Sequence, residues 1–193
     1  MSDPDETFYT EERWQNWLDR VADQELDPEE EDSARLLLNL QDDAAIAVAK
    51  IVRAFEDGRL DEGEAGEEIA SVRDVVLAEV DMDDEETEML IDGVQTSLVP
   101  VFYAVEEYVV GGTPEEGTVA EYVRAAAEAE GEEDIDAALG YLVQAGTLVV
   151  DGEELPIEVA EELEYGLVSE WVNGLDSLQT AMADPEVVEE DED

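Results

Sequence analysis

The feature that most constrains this chain is a run of thirteen residues without a charge, at positions 93–105. Acidic and basic residues make up 34% of the whole chain, so a neutral run of this length marks a segment that avoids water. A helix that is apolar on most sides is normally buried on most sides. The run therefore predicts a central helix around which the other helices pack. Pro100 lies inside it and predicts a kink, because proline removes one hydrogen bond of the helix.

The charge balance predicts the solvent in which the chain folds. It has 58 acidic and 8 basic residues among 193, which gives a formal net charge of −50. Such a charge destabilises a compact state, and salt shortens the screening length from about 10 Å at 0.1 M to about 3 Å at 1 M. The composition is typical of haloarchaeal proteins. A nucleic-acid mimic and an acidic chaperone are alternatives. Acids recur in nearly every segment, however, which favours adaptation to salt with non-specific binding of K⁺ or Na⁺.

Several chemistries are excluded by residue type. The chain has no histidine and no cysteine, which excludes histidine-assisted nucleophiles, thiol redox chemistry and zinc sites of nitrogen and sulfur ligands. It also has no glycine-rich phosphate loop. The acidic turn at residues 81–86 resembles the start of a calcium loop but lacks its glycine and its final glutamate. We therefore assign no catalytic residue, no cofactor and no metal ligand, and a specific divalent cation stays an open question.

No membrane or export signal is evident in the sequence. Residues 1–6 are acidic and polar rather than basic and apolar, unlike a secretory signal, and we interpret them as a disordered tail. No apolar run approaches the ~20 residues that span a bilayer. We expect a cytoplasmic protein without a membrane partner.

Four helices are predicted to form one bundle in residues 7–110. The apolar face of the first helix includes Trp14 and Trp17. Two tryptophans three residues apart suit an aromatic binding patch, but docking of this helix onto the bundle is the favoured interpretation. Acidic and Asp-Pro starts provide caps for the later helices. The expected bounds are Thr7 or Thr10 to Ala22, then 27–57, 61–80 and 84–110.

A second, smaller unit is predicted in residues 113–182, after a boundary at Gly111 and Gly112. Its order of helix, helix, hairpin and helix is that of a winged helix-turn-helix. The hairpin prediction depends on strand-forming residues that flank Asp151 and Gly152, the usual pair of a type I′ turn. The expected bounds are 113 or 118 to 130, then 134–145, a hairpin at 147–155, a last helix at 157–182 and an acidic disordered tail at 183–193.

Direct DNA binding by this second unit is not favoured. The helix that would enter the DNA groove begins with acids, and neither it nor the hairpin contains a lysine or arginine, whereas phosphate contacts need cations. A winged-helix-like fold reused for protein contacts fits better, and a transcription regulator is kept as an alternative.

Two sets of polar residues are candidate interaction sites. The first shares a face of the second helix and suits a docking or anion site, although ion pairs with neighbouring acidic helices are favoured. It consists of Arg35, Asn39, Asp42 or Asp43, Lys50 and Arg53. The second lies in the neutral run and either lines a pocket or bonds across the bundle, the latter being favoured. It consists of Gln95, Thr96 and Ser97.

Three segments carry a resemblance to a known family. They read FYTEERWQNWLDRV at residues 8–21, LLLNLQDDA at 36–44 and DGVQTSLV at 92–99. They resemble an uncharacterised family of archaeal proteins found in halophiles and methanogens, and the similarity covers most of the chain. The resemblance implies a haloarchaeal source and transfers no catalytic residue.

Together these observations predict an all-α protein with one short hairpin. The favoured function is that of a non-catalytic protein-interaction or regulatory module, because no catalytic constellation accompanies the abundant helix-packing surface. The alternatives are a carboxylate–metal-dependent hydrolase of an all-helical type and the transcription regulator. The sequence identifies no protein partner and leaves homo-oligomers open.

Overall fold

The structure is a computed structural model that describes residues 8–24, 26–27 and 29–183. Within these residues the chain forms eight helices and no strand, which confirms the all-α class. The predicted tails at 1–6 and 183–193 lie outside the described part, apart from Ala183. The helices are α1 (Glu11–Asp23), α2 (Glu31–Glu56), α3 (Glu62–Val76), α4 (Glu85–Gly111), α5 (Val119–Gly131), α6 (Ile135–Asp151), α7 (Ile157–Glu162) and α8 (Leu167–Ala183).

The neutral run lies in α4, which packs against α2, α3, α6 and α8. Phe102 is its largest fully buried side chain, and the buried residues along the chain join in one hydrophobic cluster. Two helices approach α4 closely at glycines. A Cβ atom on Gly146 of α6 would overlap that of Ala104, and one on Gly174 of α8 would overlap the carbonyl oxygen of Ser97. The central position of this helix agrees with the prediction.

Local capping signals place several helix starts correctly. Complete capping boxes, in which two side chains and two backbone N–H groups bond reciprocally, begin α3 and α5. They are formed by Asp61 with Glu64 and by Thr118 with Glu121. The predicted start of α2 is wrong, because the helix begins only at Glu31. The Asp27 carboxylate instead accepts a hydrogen bond from the backbone N–H of Glu29 at 2.9 Å, in the turn before the helix.

The predicted hairpin at residues 147–155 is wrong. Helix α6 continues through most of this segment and ends at Asp151. Val149 and Val150 are buried, and the packing of α6 against α4 and α8 outweighs their preference for strands. Gly152 caps the helix with a φ of 110°. A positive φ suits both a helix C-terminus and a type I′ turn, so the Asp-Gly pair fits either structure. The described residues therefore contain no wing.

The predicted last helix is divided into α7 and α8. Helix α8 begins at Leu167, next to Glu130 of α5. The Glu130 carboxylate accepts hydrogen bonds from the backbone N–H groups of Leu167 at 2.7 Å and Val168 at 3.4 Å. A carboxylate at a helix N-terminus satisfies free N–H groups and complements the helix dipole. The side chain thereby fixes α8 to α5.

Helix α4 continues through Pro100 and ends at Gly111, and the cap residue Gly112 follows with a φ of 72°. The domain boundary that the sequence places at Gly111 and Gly112 stays a prediction. Within the described residues, no helix combines the length and the apolarity that a membrane span requires.

Candidate functional site

Arg13 and Trp17 of α1 bind a buried carboxylate on α2. The Asp43 side chain is 2% exposed, and both of its oxygens accept hydrogen bonds. Arg13 donates from Nε to Oδ2 at 2.8 Å and from Nη2 to Oδ1 at 2.5 Å. Trp17 donates its indole N–H to Oδ2 at 2.8 Å, while Trp14 is buried in the core. These contacts dock α1 onto the bundle, so the tryptophans do not form an open aromatic patch.

Tyr9 closes the same cluster. Its ring is buried, and the Arg13 guanidinium lies 6.0 Å from the ring centroid. Burial, and then the charge of Asp43, raise the pKa of the Tyr9 hydroxyl well above its usual value. The hydroxyl is therefore protonated at all physiological pH values and cannot act as a base. Its role in this position is packing.

The other residues of the predicted α2 face point in different directions. Arg35 and Asn39 are exposed, and Arg35 pairs with Glu31 one turn earlier at 3.4 Å. Arg53 donates a hydrogen bond to the carbonyl oxygen of Met182 at the end of α8, and Lys50 is half-buried. The structure therefore does not bring this set together as one anion site.

Asp42, the neighbour of the buried Asp43, is half-buried beside α8. Burial raises the pKa of Asp42, a hydrogen bond with Ser177 opposes this shift, and the nearby charge of Asp176 adds to it. Burial therefore makes the charged form of this carboxyl unfavourable for folding.

The predicted pocket residues bond across the bundle. The Ser97 hydroxyl donates to Oε1 of Gln41 at 2.8 Å, and the Gln41 amide donates to the Ser177 hydroxyl at 2.8 Å. This buried chain of hydrogen bonds connects α4, α2 and α8. Gln95 donates to the carbonyl oxygens of Val76, the last residue of α3, and of Ala78, while Thr96 is half-buried. Polar groups in a core need such partners, so this set holds helices together.

The sequence analysis missed Gln41, although a signal was available. Gln41 lies on the apolar stripe of α2, four residues after Leu37 and three before Ala44. A glutamine at such a position is buried, and a buried amide needs partners on the facing helices. Ser97 in the neutral run is one such partner.

The acidic turn at residues 81–86 lines a cavity of about 370 Å³ together with residues of α1. Across the described ranges, no group of three or more acidic side chains has the geometry to hold a metal ion.

An apolar groove between α4 and α6 is a further candidate, and we call it the α4–α6 groove. Its volume is about 420 Å³. Val110 is 70% exposed and Tyr103 is 43% exposed, so two large apolar side chains of α4 face the same groove. The lining residues are Tyr103, Glu106, Glu107, Val110, Leu139, Gly140 and Val143.

Other uncharged residues lie on the outer side of α4, and Glu106 and Glu107 interrupt this row between Tyr103 and Val110. Met89, which is 74% exposed, is followed by Gly93 and Thr96 at helical spacing, and then by Tyr103 and Val110. The neutral run therefore has two sides. One is the core of the protein, as the sequence predicts, and the other reaches the surface, which the sequence analysis missed.

One comparison places the chain among known sequences. The profile of a family described as "Uncharacterized protein conserved in archaea (DUF2150)" matches residues 7–191. No curated protein and no solved structure matches the chain. Since the match covers nearly the whole sequence, the chain belongs to this family of archaeal proteins.

Proposed function

We propose that this protein is a non-catalytic protein-interaction or regulatory module. The observation that supports the proposal is the α4–α6 groove, an apolar surface on a chain with a net charge of −50. Removing apolar surface from water contributes about 25 cal/mol per Å². Contiguous apolar surface that stays exposed is characteristic of contact sites.

The contacts of the polar candidate residues also support a protein without catalytic activity. The Asp43 carboxylate accepts hydrogen bonds from Arg13 and Trp17. The Ser97 hydroxyl donates to Gln41, and the Gln95 amide donates to the end of α3. Side chains occupied in this way stabilise the fold and present no reactive group to a substrate.

The two alternatives have no observation in their favour. A carboxylate–metal hydrolase needs acids from different helices that converge within about 4–5 Å, and the described residues bring no such group together. A winged-helix regulator needs a wing and cations for phosphate. In this chain α6 occupies most of the wing segment, and α6 contains no lysine or arginine.

Site-specific crosslinking tests the proposal. The chain has no cysteine, so Val110→Cys provides a single thiol in the groove for a photoreactive label. Leu38→Cys, on an exposed part of α2 outside the groove, is the matched control. Labelled proteins are irradiated in a haloarchaeal lysate kept at about 2 M KCl, where charges are screened. We expect a discrete crosslinked protein from position 110 and none from position 38.

A parallel assay for turnover of nucleotides and phosphoesters, with divalent metals, is run in the same salt. Turnover that acid-to-amide substitutions abolish would contradict the non-catalytic assignment, whatever the crosslinking shows. Failure of both labelled positions to capture a protein would contradict the interaction assignment.

A further inference from the structure

We propose that the α4–α6 groove binds a basic amphipathic helix of another protein. This inference rests on the proposed function, and it adds the surface and the chemistry of the partner.

The floor of the groove is formed by apolar side chains that the bundle leaves uncovered. Tyr103 and Val110 on α4 are exposed, and Leu139 and Val143 on α6 are half-buried. Residues at positions i, i+4 and i+7 lie on one side of a helix, so each wall presents a stripe rather than a single side chain. Such a floor suits a helix that inserts apolar residues at the same spacing.

Gly140 gives this surface its shape. It lies inside α6, where glycine weakens a helix relative to alanine, and nothing lies within 4 Å of the place of its Cβ. By contrast, Gly146 and Gly174 are needed inside the molecule, because a Cβ atom at either would overlap α4. Gly140 has no such internal use. It leaves the backbone of α6 open to the groove, so a second helix can approach closely.

The charge around the groove selects the partner. Neither α4 nor α6 contains a lysine or arginine. Arg73 of α3 already pairs with Glu106, which leaves Glu107 exposed beside Val110. Asp136 is exposed one turn before Gly140. A partner with arginine or lysine beside its apolar stripe would pair with these acids, and contact pairs are screened by salt less than distant charges.

A second copy of the chain does not supply this complement. Two molecules joined through their grooves would bring Glu107 and Asp136 of both copies together. Neither copy's α4 or α6 offers a cation to separate them. We therefore assign the groove to a different, basic chain and treat self-association as an outcome of the test.

The test uses a synthetic helical peptide with leucines at i, i+3, i+4 and i+7 and arginines on both sides of them. A peptide of the same composition with the leucines scrambled controls for general attraction to an acidic protein, and a third peptide has glutamates in place of the arginines. Fluorescence anisotropy measures binding to the full chain at about 2 M KCl. We expect the first peptide to bind at least about tenfold more tightly than either of the other two.

Variants of the chain locate the binding site. We expect Val110→Asn and Gly140→Leu each to weaken binding of the first peptide by about tenfold, and Leu38→Asn to leave it unchanged. Val110 is 70% exposed and the Gly140 side faces open space, so neither substitution should lower the unfolding temperature. Circular dichroism checks that point.

Four outcomes would overturn the assignment. Equal binding of the scrambled peptide, or equal loss with Leu38→Asn, would mean general attraction to acidic protein. Equal binding of the glutamate peptide would remove the basic requirement. A dimer in analytical ultracentrifugation that Val110→Asn dissociates would make the groove a self-interface. A lysate partner that still crosslinks to position 110 when Gly140→Leu fills the groove would place the partner outside the groove and would leave the proposed function intact.

Discussion

Alanine substitutions at three helix-interior glycines distinguish close packing inside the molecule from an open surface. Gly140, Gly146 and Gly174 all lie inside helices, where alanine is favoured over glycine by about 1 kcal/mol. At Gly140 nothing lies within 4 Å of the added Cβ, so the full gain is expected. For a chain of this size it corresponds to a rise in unfolding temperature of about 2–4 °C.

The same substitution at Gly174 has the opposite sign. The new Cβ would lie 2.7 Å from the carbonyl carbon of Ser97 and would overlap its oxygen, whereas carbon atoms pack at about 3.5–4.0 Å. Helix α8 must then move away from α4 by about 1 Å. Overpacking of this kind costs about 1–3 kcal/mol and more where backbone is involved. After the gain in helix propensity, we expect a net loss of about 2 kcal/mol or more for Gly174→Ala.

Gly146→Ala provides an intermediate case. Its Cβ would overlap that of Ala104 and would lie 3.1 Å from Cδ2 of Leu175. The leucine can rotate away, and the overlap with the Ala104 side chain is less severe than the overlap of Gly174 with the Ser97 backbone. We therefore expect a net loss smaller than at Gly174. Thermal unfolding of all three variants is followed by circular dichroism at about 2 M KCl. An unfolding temperature of Gly174→Ala equal to the wild-type value would refute the close approach of α8 to α4.

Three further predictions concern charge. The unfolding temperature should fall steeply when KCl is reduced from about 2 M to 0.1 M, because the carboxylates then repel one another; an unchanged value would contradict adaptation to salt. Asp43→Ala should destabilise the fold by about 2–4 kcal/mol in a urea titration, because it removes the buried carboxylate to which Arg13 and Trp17 donate hydrogen bonds, whereas Asn39→Ala should change the stability by no more than about 0.5 kcal/mol. Burial raises the pKa of Asp42 in the folded state, so this carboxyl lowers stability as the pH rises through its unfolded and then its folded pKa. Asp42→Asn should therefore raise the unfolding temperature at about pH 7 and change it little below about pH 3, and a stabilisation at both values would contradict the shift.

The features that the sequence predicts well depend on residues close together in the chain. The capping box of Thr118 and Glu121 involves residues three apart, and the structure contains it as expected. The buried side of the neutral run was also predictable, because the lack of charge is a property of one continuous segment. The helical class followed from many such local signals.

The features that the sequence predicts poorly depend on contacts between distant segments. Gly146 suits a helix stop when it is considered alone, but its position against Ala104, more than forty residues away, keeps it inside a helix. Asp43 is one acid among many until Arg13, thirty residues earlier, is placed beside it. The wrong hairpin has the same origin, because the burial of Val149 depends on helices elsewhere in the chain.

Extreme acidity changes which surface features are informative in this protein. With 58 acids in 193 residues, a cluster of carboxylates does not by itself mark a site and becomes informative only beside an apolar surface. Where acidity serves adaptation to salt, as the composition predicts for this chain, a carboxylate is favoured at exposed helix positions because it retains water and ions at no cost to packing. An exposed helix position that carries a large apolar residue is an exception to this expectation. Leu38 and Ile157 are such positions singly, whereas Tyr103 and Val110 share one groove with Gly140. Exceptions that lie together in one groove are explained by a single cause. Under the proposed function, that cause is contact with another chain across the groove.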